Sequence, residues 1–285
     1  MIFVLLGLLL QAQNPVGMVL QVDGSATIRH ENASRPARTA DLLFAGDRLQ
    51  TAAGGKAVVE YCPTNQKLSV NSASEVAFAA GSFQAAKGSA PAATALRCML
   101  PQVALGSESL EHIGAMRGRG DPPIALYTGG NLTTARPIFK WEPVEGVKRY
   151  KLVITDENDD TIWSGERSAP LAEWPMDASA TLKTGTDYRW ELVAEADGKV
   201  LGRQATAFVL KPNADFSTVP TDPALRLQRA IALENSGYFG EAADVFRQMR
   251  AAEPGDNRLT NHLVWLYWNA RLIEASNREL ARLGR

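Results

Sequence analysis

The sequence predicts a multidomain, mainly β protein that closes on α-helical hairpins. Three observations carry this. Residues 16 to about 100 alternate apolar and polar side chains in short runs between turn residues, the period of a half-buried strand. Residues 123 to 211 do so again in longer and more aromatic runs. From Thr221 onward the apolar period is helical.

The 285 residues suit about two or three domains. An apolar content of 45% with 21% charged residues is that of a globular chain. The net charge is −1 and the cations are spread out, so no basic face points to nucleic acid and no acidic block to a disordered tail.

Residues 2 to 10 form an unbroken apolar run that stops at Gln11. That is the length of a signal-peptide core and too short to span a bilayer. Residues 1–12 are therefore read as a signal peptide cut after Ala12, with a buried first strand or helix as the alternative. The usual positive start is missing, which suggests a late start codon or a weak signal. No other run is long enough for a transmembrane anchor, and no Cys follows the run to carry a lipid. The location expected is periplasmic or secreted.

The first β domain is expected over residues 13–105. Val58 and Glu60, then Leu68 and Val70, keep a period of two, whereas Val19, Gln21 and Asp23 alternate poorly. Asp23-Gly24, Ala53 to Gly55 and Asn71 to Ser74 mark turns. Cys62 and Cys98 are the two cysteines. In an exported domain they suggest a disulfide, two buried thiols being the alternative.

Residues 106–122 read as a glycine-rich linker that ends at Pro122-Pro123. Its Arg119-Gly120-Asp121 is adhesion-like, but a tripeptide arises readily by chance. Residues 123–212 read as an antiparallel β-sandwich, with strands at Ile138 to Trp141, Tyr150 to Ile154, Ile162-Trp163, Tyr188 to Leu192 and Ala207 to Leu210. Residues 213–285 read as helical repeats. Thr221 or Asp222 caps a first helix with Pro223 in its first turn. Further helices run from about 240 to 252, 257 to 269 and 273 to 283.

Two loops imitate ligand sites. Gly54-Gly55-Lys56 suggests a phosphate cradle, but Gln50 stands where that motif needs its first Gly, and Ala57 replaces the magnesium-binding hydroxyl. Asp156 to Asp160 starts like a calcium loop, but Thr161 replaces the central Gly and Arg167 the bidentate Glu. Both read as turns between strands. His30, His112 and His262 stand in separate segments, and no nucleophile elbow or metal-spaced His/Cys cluster occurs. The sequence thus predicts no enzyme, no cofactor and no metal.

Three resemblances refine the reading. Gly17, Val19, Val22, Gly24, Ala26, Leu43, Gly46-Asp47, Leu49, Thr51, Ala57 and Val59, continued by Leu68, Val70 and Val76, resemble the FecR-type domain over roughly residues 16 to 80. That resemblance implies a compact extracytoplasmic β domain, which relays a transport signal to a sigma factor in the membrane-bound members. The chain lacks their cytoplasmic head and membrane helix, so a free-standing secreted variant fits better. Pro137 to Trp141, Tyr150 and the Leu182, Gly185, Tyr188 and Trp190 group resemble fibronectin type III domains, with Trp141, Tyr150 and Trp190 implied to fill the core. Gly237 to Ala242, Phe246, Pro254, Leu263 and Tyr267 resemble tetratricopeptide repeats, from which Arg229 departs where an apolar residue is expected. Two such repeats need a surface to pack on: the sandwich, another chain or a partner.

The function expected is a non-enzymatic extracytoplasmic adaptor or scaffold that binds envelope proteins or glycans. A sensor or regulator in an envelope relay and a cell-wall or polysaccharide-binding protein are the alternatives. Leu227, Ile231, Trp265 and Trp268 are the expected protein-binding groove, and Trp163 and Trp174 the expected glycan platform. Helix core and sandwich core are the plainer readings of the same residues.

Overall fold

The computed structural model describes residues 14–107, 110, 123–176 and 181–284. The expected signal peptide, the Arg119-Gly120-Asp121 tripeptide, His112 and most of the expected linker lie outside the described residues. The chain divides into two compact units, Met1–Leu100 and Pro101–Arg285.

The first unit is a sandwich of two five-stranded antiparallel sheets. One sheet runs β10 (Ala92–Ala95), β7 (Gln66–Val70), β6 (Lys56–Tyr61), β1 (Gly17–Asp23), β4 (Leu42–Leu43). The other runs β3 (Ala33–Pro36), β2 (Ala26–His30), β5 (Arg48–Thr51), β8 (Glu75–Phe78), β9 (Phe83–Lys87). Val19, Leu43, Val59, Tyr61, Leu68 and Val70 of the first meet Ala26, Ile28, Leu49, Val76 and Phe78 of the second in one core. The poor alternation of β1 has a local cause. Its register against β6 slips between Val19 and Gln21, so Met18, Val19 and Leu20 are all buried. Met18 lies opposite Glu60, whose carboxylate accepts the Met99 N–H at 3.2 Å, and a Cys62–Cys98 disulfide ties down the same C-terminal segment.

The stretch from Gly46 to Lys56 is a pair of turns. Gly46 (φ 98°) and Gly54 (φ 77°) take the left-handed conformation that favours glycine. Asp47 closes the first turn by accepting the Phe44 N–H at 2.9 Å, and the Gly55 N–H closes the second on the Ala52 carbonyl at 3.0 Å. Lys56 then starts β6, which pairs back on β1.

The second unit joins a smaller sandwich to four helices. Its main sheet runs β11 (Gly130–Leu132), β17 (Lys199–Leu210), β16 (Asp187–Ala196), β13 (Arg149–Thr155), β14 (Thr161–Ser168), antiparallel except for β11 beside β17. Opposite it β12 (Ile138–Lys140) pairs with β15 (Glu173–Pro175), and Leu126 bridges Trp141. The expected aromatic filling is present. Phe139 packs on Trp190 and Phe208 with ring centroids 4.8 and 5.8 Å apart, and Trp141 on Tyr150 at 5.1 Å. The Tyr188 hydroxyl accepts the Lys183 N–H at 2.7 Å, which pins the loop beside buried Leu182. Asp156 accepts the N–H groups of Asn158 and Asp160 within its own turn, so the acidic run is the β13–β14 hairpin connection.

Helix α1 (Pro223–Asn235) begins where the sequence places it, with the Asp222 carboxylate accepting the Ala224 N–H at 2.9 Å. It is followed by α2 (Phe239–Ala252), α3 (Asn257–Asn269) and α4 (Ile273–Arg282), each packed on the one before. The helices do not stand alone. The backbone of Gly240 in α2 lies against Gly129, and a Cβ there would sit 2.6 Å from the Gly129 carbonyl oxygen. Asn131 donates to the Gly237 carbonyl at 3.1 Å, the Tyr238 hydroxyl donates to the Lys211 carbonyl at 2.9 Å, and Arg247 covers the Tyr127 ring at 4.5 Å. Of the three alternative surfaces expected for the helices, the structure shows contact with the sandwich.

Candidate functional site

Docking α2 on the sandwich leaves a cleft of about 430 Å³ beside it. Its sandwich wall is β12 and the chain leading into it. The alternation that buries Phe139 turns Ile138 and Lys140 outward, and Thr133 and Arg136 precede them. Its helical wall comes from α1 and α2. Leu227, Ala230, Ile231 and Glu234 form the buried stripe of α1, which leaves Arg226 and Arg229, one turn apart, on the bordering face. Glu241, Asp244 and Val245 line the cleft from α2. The chain entering α1 adds Phe216 and Val219. Ile138 and Val219, 44% and 69% accessible, are the exposed large hydrophobic residues among the described residues, and both line this cleft.

The polar groups fall into two sets. Lys140 pairs with Asp244 at 2.5 Å, and Arg247 reaches the same carboxylate at 3.0 Å. Glu241 accepts the Thr133 N–H at 2.7 Å and the Thr133 hydroxyl at 2.8 Å. Burial pushes the Glu241 carboxyl above its usual range, against the pull of those bonds and of Arg229. Burial also lowers the Arg229 guanidinium, which Glu241 partly restores. The second set is the arginines. Arg229 donates to the Phe216 carbonyl at 2.8 Å and Arg226 to the Thr221 carbonyl at 2.9 Å, both neutral acceptors. The Nε atom of each is buried without a hydrogen-bond partner. The cleft therefore offers apolar contact beside arginines that donate to neutral carbonyls.

The residues singled out from sequence lie elsewhere. Leu227 and Ile231 are fully buried in the helical core, because the spacing that marks an inward face does not tell a groove from a helix contact. Trp265 and Trp268 are half-buried on α3, and Trp265 stacks on the His262 ring at 5.7 Å. Trp163 and Trp174 do meet, with centroids 5.1 Å apart and planes at 84°. Trp174 is buried, however, and Arg167 covers its ring at 4.9 Å, so the pair presents no flat surface of two open rings. Cys62 and Cys98 form the disulfide.

Sequence reasoning missed Ile138, Val219, Arg226 and Glu241. Arg229 carried a signal, as the cation where the repeat resemblance wants an apolar residue. It also left His30 and His262 isolated, whereas each has a carboxylate: His30 meets Asp47 at 2.5 Å, and His262 meets Glu234 at 2.9 Å in the helical core.

No protein-family model matches the sequence, and no curated protein matches it. Solved structures give partial likenesses. The FN1–FN3 domains of chicken CNTN1 are 11% identical, cover 69% of this chain and 57% of their own, and superpose with a TM-score of 0.27. A two-domain fibronectin type III segment of chicken tenascin is 9% identical, covers 69% of this chain and 94% of its own, with a TM-score of 0.27. A Ruminococcus gnavus β-glucuronidase is 12% identical over 70% of this chain and 33% of its own, with a TM-score of 0.20. This chain thus spans just over half of the CNTN1 segment and a third of the enzyme. Superpositions this loose carry no argument about what the chain does.

Proposed function

We propose that the chain is a non-enzymatic extracytoplasmic adaptor that binds a protein of the cell envelope through the cleft between β12 and helices α1 and α2. One observation carries this reading: Ile138 and Val219 are exposed, and both line that cleft. Apolar groups kept in contact with water are stabilised by burial against a partner, at roughly 25 cal/mol per Å² of apolar surface covered. On this reading the first unit is a FecR-type domain, the second sandwich is fibronectin type III-like, and the helices are two tetratricopeptide-like hairpins. Each is a module type that binds or positions other molecules. The disulfide is consistent with an oxidising compartment, periplasmic or extracellular.

The test is affinity capture from envelope extracts with the whole chain and with the double variant Ile138→Asp, Val219→Asp. Both side chains are exposed, so the variant is expected to fold, which circular dichroism checks. The wild type is expected to retain a partner that the variant loses. Equal capture by both would end this reading. Deleting the helices is a poorer test, since it uncovers the Gly129 backbone and the Tyr127 ring of the sandwich.

A further inference from the structure

We infer that the cleft takes a short segment of a partner protein in which a carboxylate side chain is flanked by aliphatic ones. The inference rests on the adaptor reading and deepens it by naming the partner's chemistry.

Charge is the first argument. Four cations, Arg136, Lys140, Arg226 and Arg229, line the cleft against two carboxylates, Glu241 and Asp244. Both carboxylates are already engaged: Asp244 by Lys140 and Arg247, Glu241 by both donors of Thr133. Among the described residues, the Arg226 and Arg229 side chains donate to the carbonyls of Thr221 and Phe216, Arg229 also lies within the field of Glu241, and Arg136 lies exposed with no ion pair. A guanidinium is a fork of donors matched to a carboxylate, and charge-assisted bonds of this kind are the stronger ones.

Apolar contact is the second argument, and it separates a protein from other anions. Ile138 and Val219 line the same cleft as the arginines and are covered best by aliphatic side chains. An acidic polysaccharide supplies carboxylates but few such groups. A nucleic acid supplies phosphates at a density that calls for a longer cationic track. A volume of about 430 Å³ holds only a few side chains, so the segment is short.

The test is selection of random heptapeptides displayed on phage against the full chain, followed by fluorescence anisotropy of the enriched peptides made synthetically. Enriched peptides are expected to carry Asp or Glu between Leu, Ile or Val. Replacing that acid by Lys is expected to weaken binding at least tenfold, as are Arg136→Glu and Val219→Asp in the protein, both at exposed positions. Binding is expected to fall as salt rises. Enriched peptides without an acid, which still need Val219, would overturn the inference and leave the adaptor reading standing. No enriched peptide, together with capture from extracts that ignores Ile138 and Val219, would end both. Polygalacturonate bound through Arg136 and indifferent to Val219→Asp would give the cleft to an anionic glycan and overturn the inference. Self-association lost on Val219→Asp would give the cleft to a second copy of the chain and likewise overturn it.

Discussion

Glu241 is held between opposing effects. Burial raises its carboxyl above the ordinary 4.5, while the two Thr133 bonds and Arg229 lower it, and burial wins. The folded state therefore keeps the proton to higher pH than the unfolded chain does. The stability tied to this group is fully present below the unfolded value and is lost as pH rises through the raised folded value. Glu279, also raised chiefly by burial, acts in the same direction. The urea midpoint of the second unit is expected to fall as pH climbs from 4.5 through that window. Glu241→Gln keeps an acceptor for Thr133 and never ionises, so it is expected to flatten part of the fall. Identical slopes in the two proteins would show that Glu241 ionises freely. At this scale local chemistry was legible and pairing was not. The Asp222 cap follows from its neighbour Pro223, but nothing near Glu241 points to Thr133, which lies 108 residues away.

At the scale of elements, Gly240 decides how α2 meets the sandwich. Inside a helix, Gly→Ala ordinarily gains about 1 kcal/mol. Here the new Cβ would lie 2.6 Å from the Gly129 carbonyl oxygen, a backbone atom that cannot swing aside. Overpacking costs about 1–3 kcal/mol. The contact should therefore outweigh propensity, and Gly240→Ala is expected to lower stability by about 1 kcal/mol in urea unfolding. A gain of the same size would mean that α2 does not rest on Gly129. Helix limits were legible because caps and Pro254 act within a turn. Strand β17 was legible only at Ala207 to Leu210, since Gly202, Arg203 and Gln204 interrupt the alternation. Its full length, Lys199–Leu210, comes from pairing with β16.

At the scale of the molecule, two reporters separate by unit. All six tryptophans, Trp141, Trp163, Trp174, Trp190, Trp265 and Trp268, belong to Pro101–Arg285, and both cysteines to Met1–Leu100. The disulfide closes a separation of 36 residues, for which chain entropy gives roughly 4 kcal/mol. A reducing agent is therefore expected to lower the unfolding midpoint of the first unit, seen by far-ultraviolet circular dichroism. The tryptophan fluorescence transition is expected to stay in place. A matching shift of the fluorescence transition would show that the two units unfold together.

The sequence by itself determined what acts over a few residues: the strand and helix periods, the turns at Gly46 and Gly54, the Asp222 cap, and the failure of the phosphate and calcium motifs. It also marked Arg229 as the residue that departs from the tetratricopeptide resemblance. Only the tertiary structure decided that the helices rest on the second sandwich, that Leu227 and Ile231 are core, and that Ile138, Val219, Arg229 and Glu241 share one cleft. The reason is physical. Period and capping are set by neighbours along the chain, whereas the cleft exists because close backbone contact at Gly129 and Gly240 joins segments about a hundred residues apart, and no local pattern encodes that contact.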